Sequence, residues 1–194
     1  MRSVVQVPCR TTERTSSTAK FERLVIGDSM LRDLRPPLGA KVIVARGAKT
    51  SSLLDRTRDE IHHVNDRIHA LVLMVGTNDV ADGESLSKFE SDYDSLVRKL
   101  ARRGPKRLWL VNILPRPRDV KPRVRGYNAV ISAIARSRGC IFVNAFKSFT
   151  DTRGLPRLQF FNQDGLHLSK SGSERLFDIL ASHLNDKMIH MRLA

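Results

Sequence analysis

From Phe21 onward the chain alternates short apolar runs with segments of helical period, and that alternation leaves few folds open to it. The runs are residues 23–27, 41–45, 70–76, 106–114 and 140–144. Several are apolar almost throughout, as strands buried on both faces must be. Between them, Leu86, Phe89, Tyr93, Leu96, Val97 and Leu100 share one helical face, with a capping box expected at Ser87 and Glu90 and a stop at Gly104-Pro105. Val124, Tyr127, Val130, Ile131 and Ile134 share another, ending near Gly139. Leu176, Phe177, Leu180 and Leu184 mark a last helix, with caps expected at Ser171 and Glu174. Leu53, Leu54, Ile61 and Val64 suggest one more after the second run. Five strands alternating with helices predict an α/β domain whose mostly parallel sheet carries helices on both faces. The domain is expected over residues 21–194, and residues 1–20, rich in Ser, Thr and Arg, read as a disordered basic tail.

Open parallel sheets form their sites at the carboxyl ends of the strands. The first run leads into Gly27-Asp28-Ser29-Met30, where Ser29 either caps a following helix or presents a nucleophilic hydroxyl at the sheet edge. The second leads to Gly47, a turn glycine or a backbone N–H open to close approach. The third leads to Gly76-Thr77-Asn78-Asp79, where Asn78 either closes an Asx-turn or aims an amide N–H at a developing oxyanion. Ahead of the last helix stands Asp164-Gly165-Leu166-His167. That spacing lets the carboxylate fold back onto the imidazole and hold the tautomer that accepts a serine proton.

These four blocks, in this order and at these strand ends, resemble those of the SGNH (GDSL-like) hydrolases. The resemblance covers residues 24–184. It implies a three-layer α/β/α fold of flavodoxin-like strand order, no cofactor, and hydrolysis of acyl or acetyl esters. It implies Ser29 as nucleophile, His167 as base oriented by Asp164, and an oxyanion hole formed by the Ser29 amide, Gly47 and Asn78. Met30 replaces the leucine usual after the serine, a mild departure at a packing position. The strings Val25-Ile26-Gly27-Asp28-Ser29-Met30-Leu31, Val75-Gly76-Thr77-Asn78-Asp79 and Asp164-Gly165-Leu166-His167-Leu168-Ser169 resemble more narrowly the SGNH domains in first-open-reading-frame proteins of eukaryotic non-LTR retrotransposons.

Charge bears on partners. Lys and Arg number 34 against 20 acids, a net +14, and between residues 98 and 125 eleven basic residues meet a single acid, Asp119. Arg116, Arg118, Lys121, Arg123 and Arg125 follow the fourth strand and are expected to rim the site, where they would steer an anionic ester or an anionic lipid, or grip RNA or DNA. A solvated surface explains the charge equally well. The alternative to an enzyme is a nucleic-acid-binding or assembly module on the same scaffold. No aromatic residues interleave with the charges, so reading of base sequence is not expected. The longest apolar run, residues 70–75, is too short to cross a bilayer, and no signal-like stretch opens the chain, so an intracellular location, cytoplasmic or nuclear, is expected. Cys9 and Cys140 make no framework, and His62, His63 and His69 lack the carboxylates of a metal site. Gly47-Ala48-Lys49-Thr50 lacks the Gly-Lys pair of a phosphate-binding loop, no Gly-x-Ser-x-Gly elbow occurs, and the third strand does not end in the aspartate of a phosphorelay receiver.

Overall fold

The computed structural model describes residues 23–62, 68–119 and 123–185. The expected tail, Cys9, His63 and Lys121 lie outside the described residues. Five strands are present: β1 (Arg23–Gly27), β2 (Lys41–Val44), β3 (Ala70–Met74), β4 (Arg107–Val111) and β5 (Ile141–Val143). All neighbours pair in parallel, in the order β2-β1-β3-β4-β5, the flavodoxin-like arrangement. The helices are α1 (Leu53–Arg56), α2 (Arg58–His62), α3 (Thr77–Ala81), α4 (Leu86–Ala101), α5 (Val124–Ser137) and α6 (Lys170–Leu184).

Alternation along each strand feeds two cores. Leu24 and Ile26 of β1, Leu71 and Leu73 of β3, and Leu108 and Leu110 of β4 pack with Phe89, Tyr93 and Leu100 of α4 and Tyr127 and Ile131 of α5. Val25, Val72, Met74, Trp109 and Val111 face the other way, onto Leu176, Leu180 and Leu184 of α6. Both faces are therefore covered, which is why the strands read as unbroken apolar runs.

Two helices start earlier than their sequence suggested. Ser85, not Ser87, caps α4: its Oγ accepts the Lys88 N–H at 3.3 Å while its carbonyl accepts the Phe89 N–H. Ser169, not Ser171, caps α6, accepting the Gly172 N–H at 3.2 Å. In each case a serine two residues upstream sits in extended backbone, the conformation a cap needs, and competes for the same orphan amides.

The exit of β1 is the tightest place in the sheet. A Cβ on Gly27 would stand 1.9 Å from the Met74 carbonyl oxygen, so only glycine lets β1 and β3 run this close to their ends. One residue on, the Asp28 N–H donates to that same carbonyl at 3.2 Å. Between β1 and β3 the strand order reverses, and the crevice above that point is where such sheets bind ligands.

Candidate active site

Asp28, fully buried, organises the turn that follows β1. Its Oδ1 accepts the Met30 N–H at 3.0 Å, and its Oδ2 accepts the Thr77 N–H at 3.3 Å across from β3. Asp28 is thus the cap of the short 3-10 turn Ser29–Leu31, and the Ser29 hydroxyl is not used as one. The turn spans three residues rather than a regular helix, and Pro36 and Pro37 follow closely. Ser29 Oγ lies 3.2 Å from His167 Nε2, the two residues being 138 positions apart in the chain.

The loop bearing His167 is held from both sides. The Asn162 N–H donates to the His167 carbonyl at 2.8 Å, its side-chain amide donates to the Leu168 carbonyl, and the Ser169 N–H donates to Phe160. Asp164 Oδ1 accepts the Leu166 and His167 amides, both at 2.9 Å, and Oδ2 stands 2.6 Å from His167 Nδ1. Partial burial raises the Asp164 carboxyl, but the hydrogen bonds from the His167 ring and from the two amides outweigh it and bring the pKa down to about 2. The ionised carboxylate is placed to accept a proton from Nδ1, and in that tautomer of the neutral ring the Nε2 lone pair faces the serine hydroxyl.

Across the cleft, Gly47 has φ +70°, left-handed backbone that disfavours any other residue, although a Cβ there would meet only an arginine side chain at 3.8 Å. Glycine is thus required for its conformation rather than for clearance. The Ser29 and Gly47 amides have no hydrogen-bond acceptor among the described residues. Asn78 donates one Nδ2 proton to the Ala48 carbonyl at 2.9 Å, which fixes the side chain and leaves its second proton uncommitted. Asp79, also buried, accepts the Thr50 N–H and hydroxyl, both at 3.1 Å, and so ties the loop after β2 to the start of α3. Ser29, Gly47, Asn78, Leu166 and His167 line one open cleft of about 550 Å³, with Arg32, Asp33 and Arg46 completing its wall.

The basic run behaves otherwise than its sequence implied. Arg116 is buried, with a 4% exposed side chain; it donates to the Thr77 carbonyl and lies 2.8 Å from Asp119. It braces the entrance of α3 and is not on the rim, because the only acid of the run draws it inward. Arg118, Arg123 and Arg125 are exposed. The Arg118 N–H donates to the Gly165 carbonyl, so this segment borders the His167 loop. The remaining charges of the run, at residues 98–107, sit at the opposite edge of the sheet, because β4 carries the chain about 16 Å between the two edges.

Sequence reasoning gave no role to Asp28, Asp79, Thr50, Arg32 or Arg46. The signal available was a carboxylate beside each of the two motif residues, Ser29 and Asn78, at a buried strand end. Asp28 also has a measurable signature. Burial, opposed by its amide donors, raises its carboxyl to about 6. Between the ordinary carboxylate range and that value the folded protein binds more protons than the unfolded chain, so stability falls as pH rises through this window. The contribution is about 3 kcal/mol, using 1.36 kcal/mol per pKa unit. Asp79 is raised by burial in the same direction. Denaturant titrations at pH 4.5 and 7 should therefore show a fall in stability that is markedly smaller in Asp28→Asn; an unchanged difference would mean that Asp28 does not titrate there.

A sequence profile of the GDSL-like Lipase/Acylhydrolase family matches residues 25–175. Solved structures share the fold. A Streptococcus pneumonia protein provisionally described as a platelet activating factor superposes with a TM-score of 0.74 at 23% identity, over 88% of this chain and 86% of that one. An acetylxylan esterase from Geobacillus stearothermophilus gives 0.63 at 19% identity, over 84% and 93%. The OSK domain of Drosophila Oskar gives 0.65 at 14% identity, over 90% and 99%. No curated protein sequence matches significantly.

Proposed function

The chain belongs to the GDSL-like lipase/acylhydrolase family, and we propose that it is a serine ester hydrolase that cleaves acyl or acetyl esters with Ser29, His167 and Asp164. The observation that carries this reading is the chain of contacts from Asp164 Oδ2 to His167 Nδ1, at 2.6 Å, and from His167 Nε2 to Ser29 Oγ, at 3.2 Å. His167 Nε2 takes the hydroxyl proton as Oγ bonds to the ester carbonyl carbon, and the carbonyl oxygen becomes an oxyanion facing the Ser29 and Gly47 amides and Asn78 Nδ2. The tetrahedral species collapses, the bond to the alkoxy oxygen breaks, and His167 returns its proton to the departing alcohol. Water then repeats the sequence on the acyl-serine, releasing the carboxylic acid and restoring Ser29. Hydrolysis of a panel of chromogenic acetyl and longer acyl esters, with Ser29→Ala as control, tests the proposal; no turnover across the panel would overturn it.

Association with a retrotransposon ribonucleoprotein is the finer part of this proposal. Besides the motif strings, it draws support from the lower edge of the sheet, where Lys99, Arg102 and Lys106 are exposed and Asp94 pairs with Arg98 at 3.2 Å. This patch is also what favours the binding-module alternative. It should bind RNA without regard to sequence, with affinity falling steeply with salt, by a log–log slope of about −0.7 per phosphate contacted on single strands. Replacing Lys99, Arg102 and Lys106 with Gln should flatten that slope more than replacing Arg118, Arg123 and Arg125 does. If neither triple variant changes RNA binding, the charge is a solvated surface.

A further inference from the structure

The cleft around Ser29 is flanked by cations. Arg32 lies three residues beyond Ser29, on the turn that presents it, and Arg46 immediately precedes Gly47; both residues line the same cleft. Their circumstances differ. Arg32 Nε is 3.0 Å from Asp33, a partially exposed pair that cancels its charge. Arg46 has no carboxylate partner among the described residues, and its main chain is fixed because its carbonyl accepts a hydrogen bond from Arg56 at 2.8 Å. The cleft wall therefore carries one uncompensated guanidinium beside the donor expected to receive the oxyanion. A neutral substrate offers that guanidinium hydrogen-bond acceptors but no charge to pair with.

We propose that the substrate is an anionic ester, one whose acyl or alcohol part carries a carboxylate or phosphate that Arg46 engages. This rests on the ester-hydrolase reading and deepens it by naming the substrate class. A guanidinium matches such anions in planar, two-point geometry that lysine does not reproduce. Because the anion lies on a part of the substrate that does not react, the contact acts chiefly on KM.

Matched pairs of esters test this. Monophenyl succinate against methyl phenyl succinate places the charge on the acyl part, and para-acetoxybenzoate against its methyl ester places it on the alcohol part. The unmutated protein should prefer the anion of at least one pair by about tenfold in kcat/KM at low salt, through KM, with the preference shrinking as salt rises. In Arg46→Gln the anionic-to-neutral ratio of that pair should fall to near one, and Arg46→Lys should restore only part of it. The pair that responds identifies which part of the substrate carries the charge. Equal rates within both pairs, or ratios unmoved by Arg46→Gln, would overturn the proposal while leaving the hydrolase reading intact. Equilibrium binding of the same pairs to Ser29→Ala provides a second reading. Tighter binding of the anion that depends on Arg46, in a chain whose unmutated form turns over no ester, would sink the hydrolase reading and keep the anion site. Equal binding of anion and neutral ester would overturn the anion site without reference to turnover.

Discussion

Ser29→Ala and His167→Ala should each lower ester turnover by on the order of 10⁴–10⁶, and the double variant should be little worse than either. The expectation follows from how the pair is built. His167 Nε2 is free to take a proton only because the ionised Asp164 holds the other on Nδ1, and Ser29 Oγ is free to give one because Asp28, not Ser29, caps the turn. In the proposed mechanism each residue acts only through the other, so their losses should not add. Asp164→Asn keeps an acceptor near the ring but offers an amide that favours the wrong tautomer, and its loss should approach that of His167→Ala. Single-turnover kinetics on a chromogenic acetate would separate these effects from changes in product release. Full activity in Ser29→Ala would mean that another group attacks the ester.

Asn78→Ala should cost less, about 10²–10³ in kcat, the usual consequence of losing one oxyanion donor. The loss should fall on kcat, because charge develops on the carbonyl oxygen only as the serine adds. Asn78 is suited to this by its second bond: one Nδ2 proton is spent on the Ala48 carbonyl, so the amide is aimed before substrate arrives. Asn78→Asp should be worse than alanine, since it presents a negative charge to the developing oxyanion and an acceptor to the Ala48 carbonyl. An alanine variant within threefold of the unmutated rate would leave the oxyanion to the Ser29 and Gly47 amides alone.

Most of the architecture could be read in the sequence, because parallel strands covered on both faces leave an unmistakable apolar signature. The run at residues 23–27 coincides with β1, and the others differ from the observed strands only by trimming at the ends. Helix starts were less legible. Ser85 and Ser87, like Ser169 and Ser171, are chemically equal candidates, and the choice between them depends on backbone dihedrals that no local string specifies. At the site, Ser29, Gly47 and Asn78 stand out by their place after strands and His167 by its spacing from Asp164, and the structure brings the four to one cleft. Missed were the groups that act on the protein itself. Asp28 and Asp79 look like ordinary loop acids until their amide donors, 49 and 29 positions away, are known. Contiguity in sequence makes Arg116 part of a stripe, but contiguity in space does not follow: burial beside Asp119 removes it, and β4 separates what remains.

The two buried carboxylates bear on how the rate responds to temperature. Asp28 fastens the exit of β1 to that of β3, and Asp79 fastens the start of α3 to the loop after β2. The three segments that carry Ser29, Gly47 and Asn78 are thereby locked together before any substrate binds. Their loss of conformational freedom is charged to folding, where the sheet and its two cores compensate it, and not to the reaction. For the proposed hydrolysis the expected result is a small activation entropy, which single-turnover rates measured across temperature would check. Asp28→Asn and Asp79→Asn should each make the activation entropy of that hydrolysis more negative than in the unmutated protein.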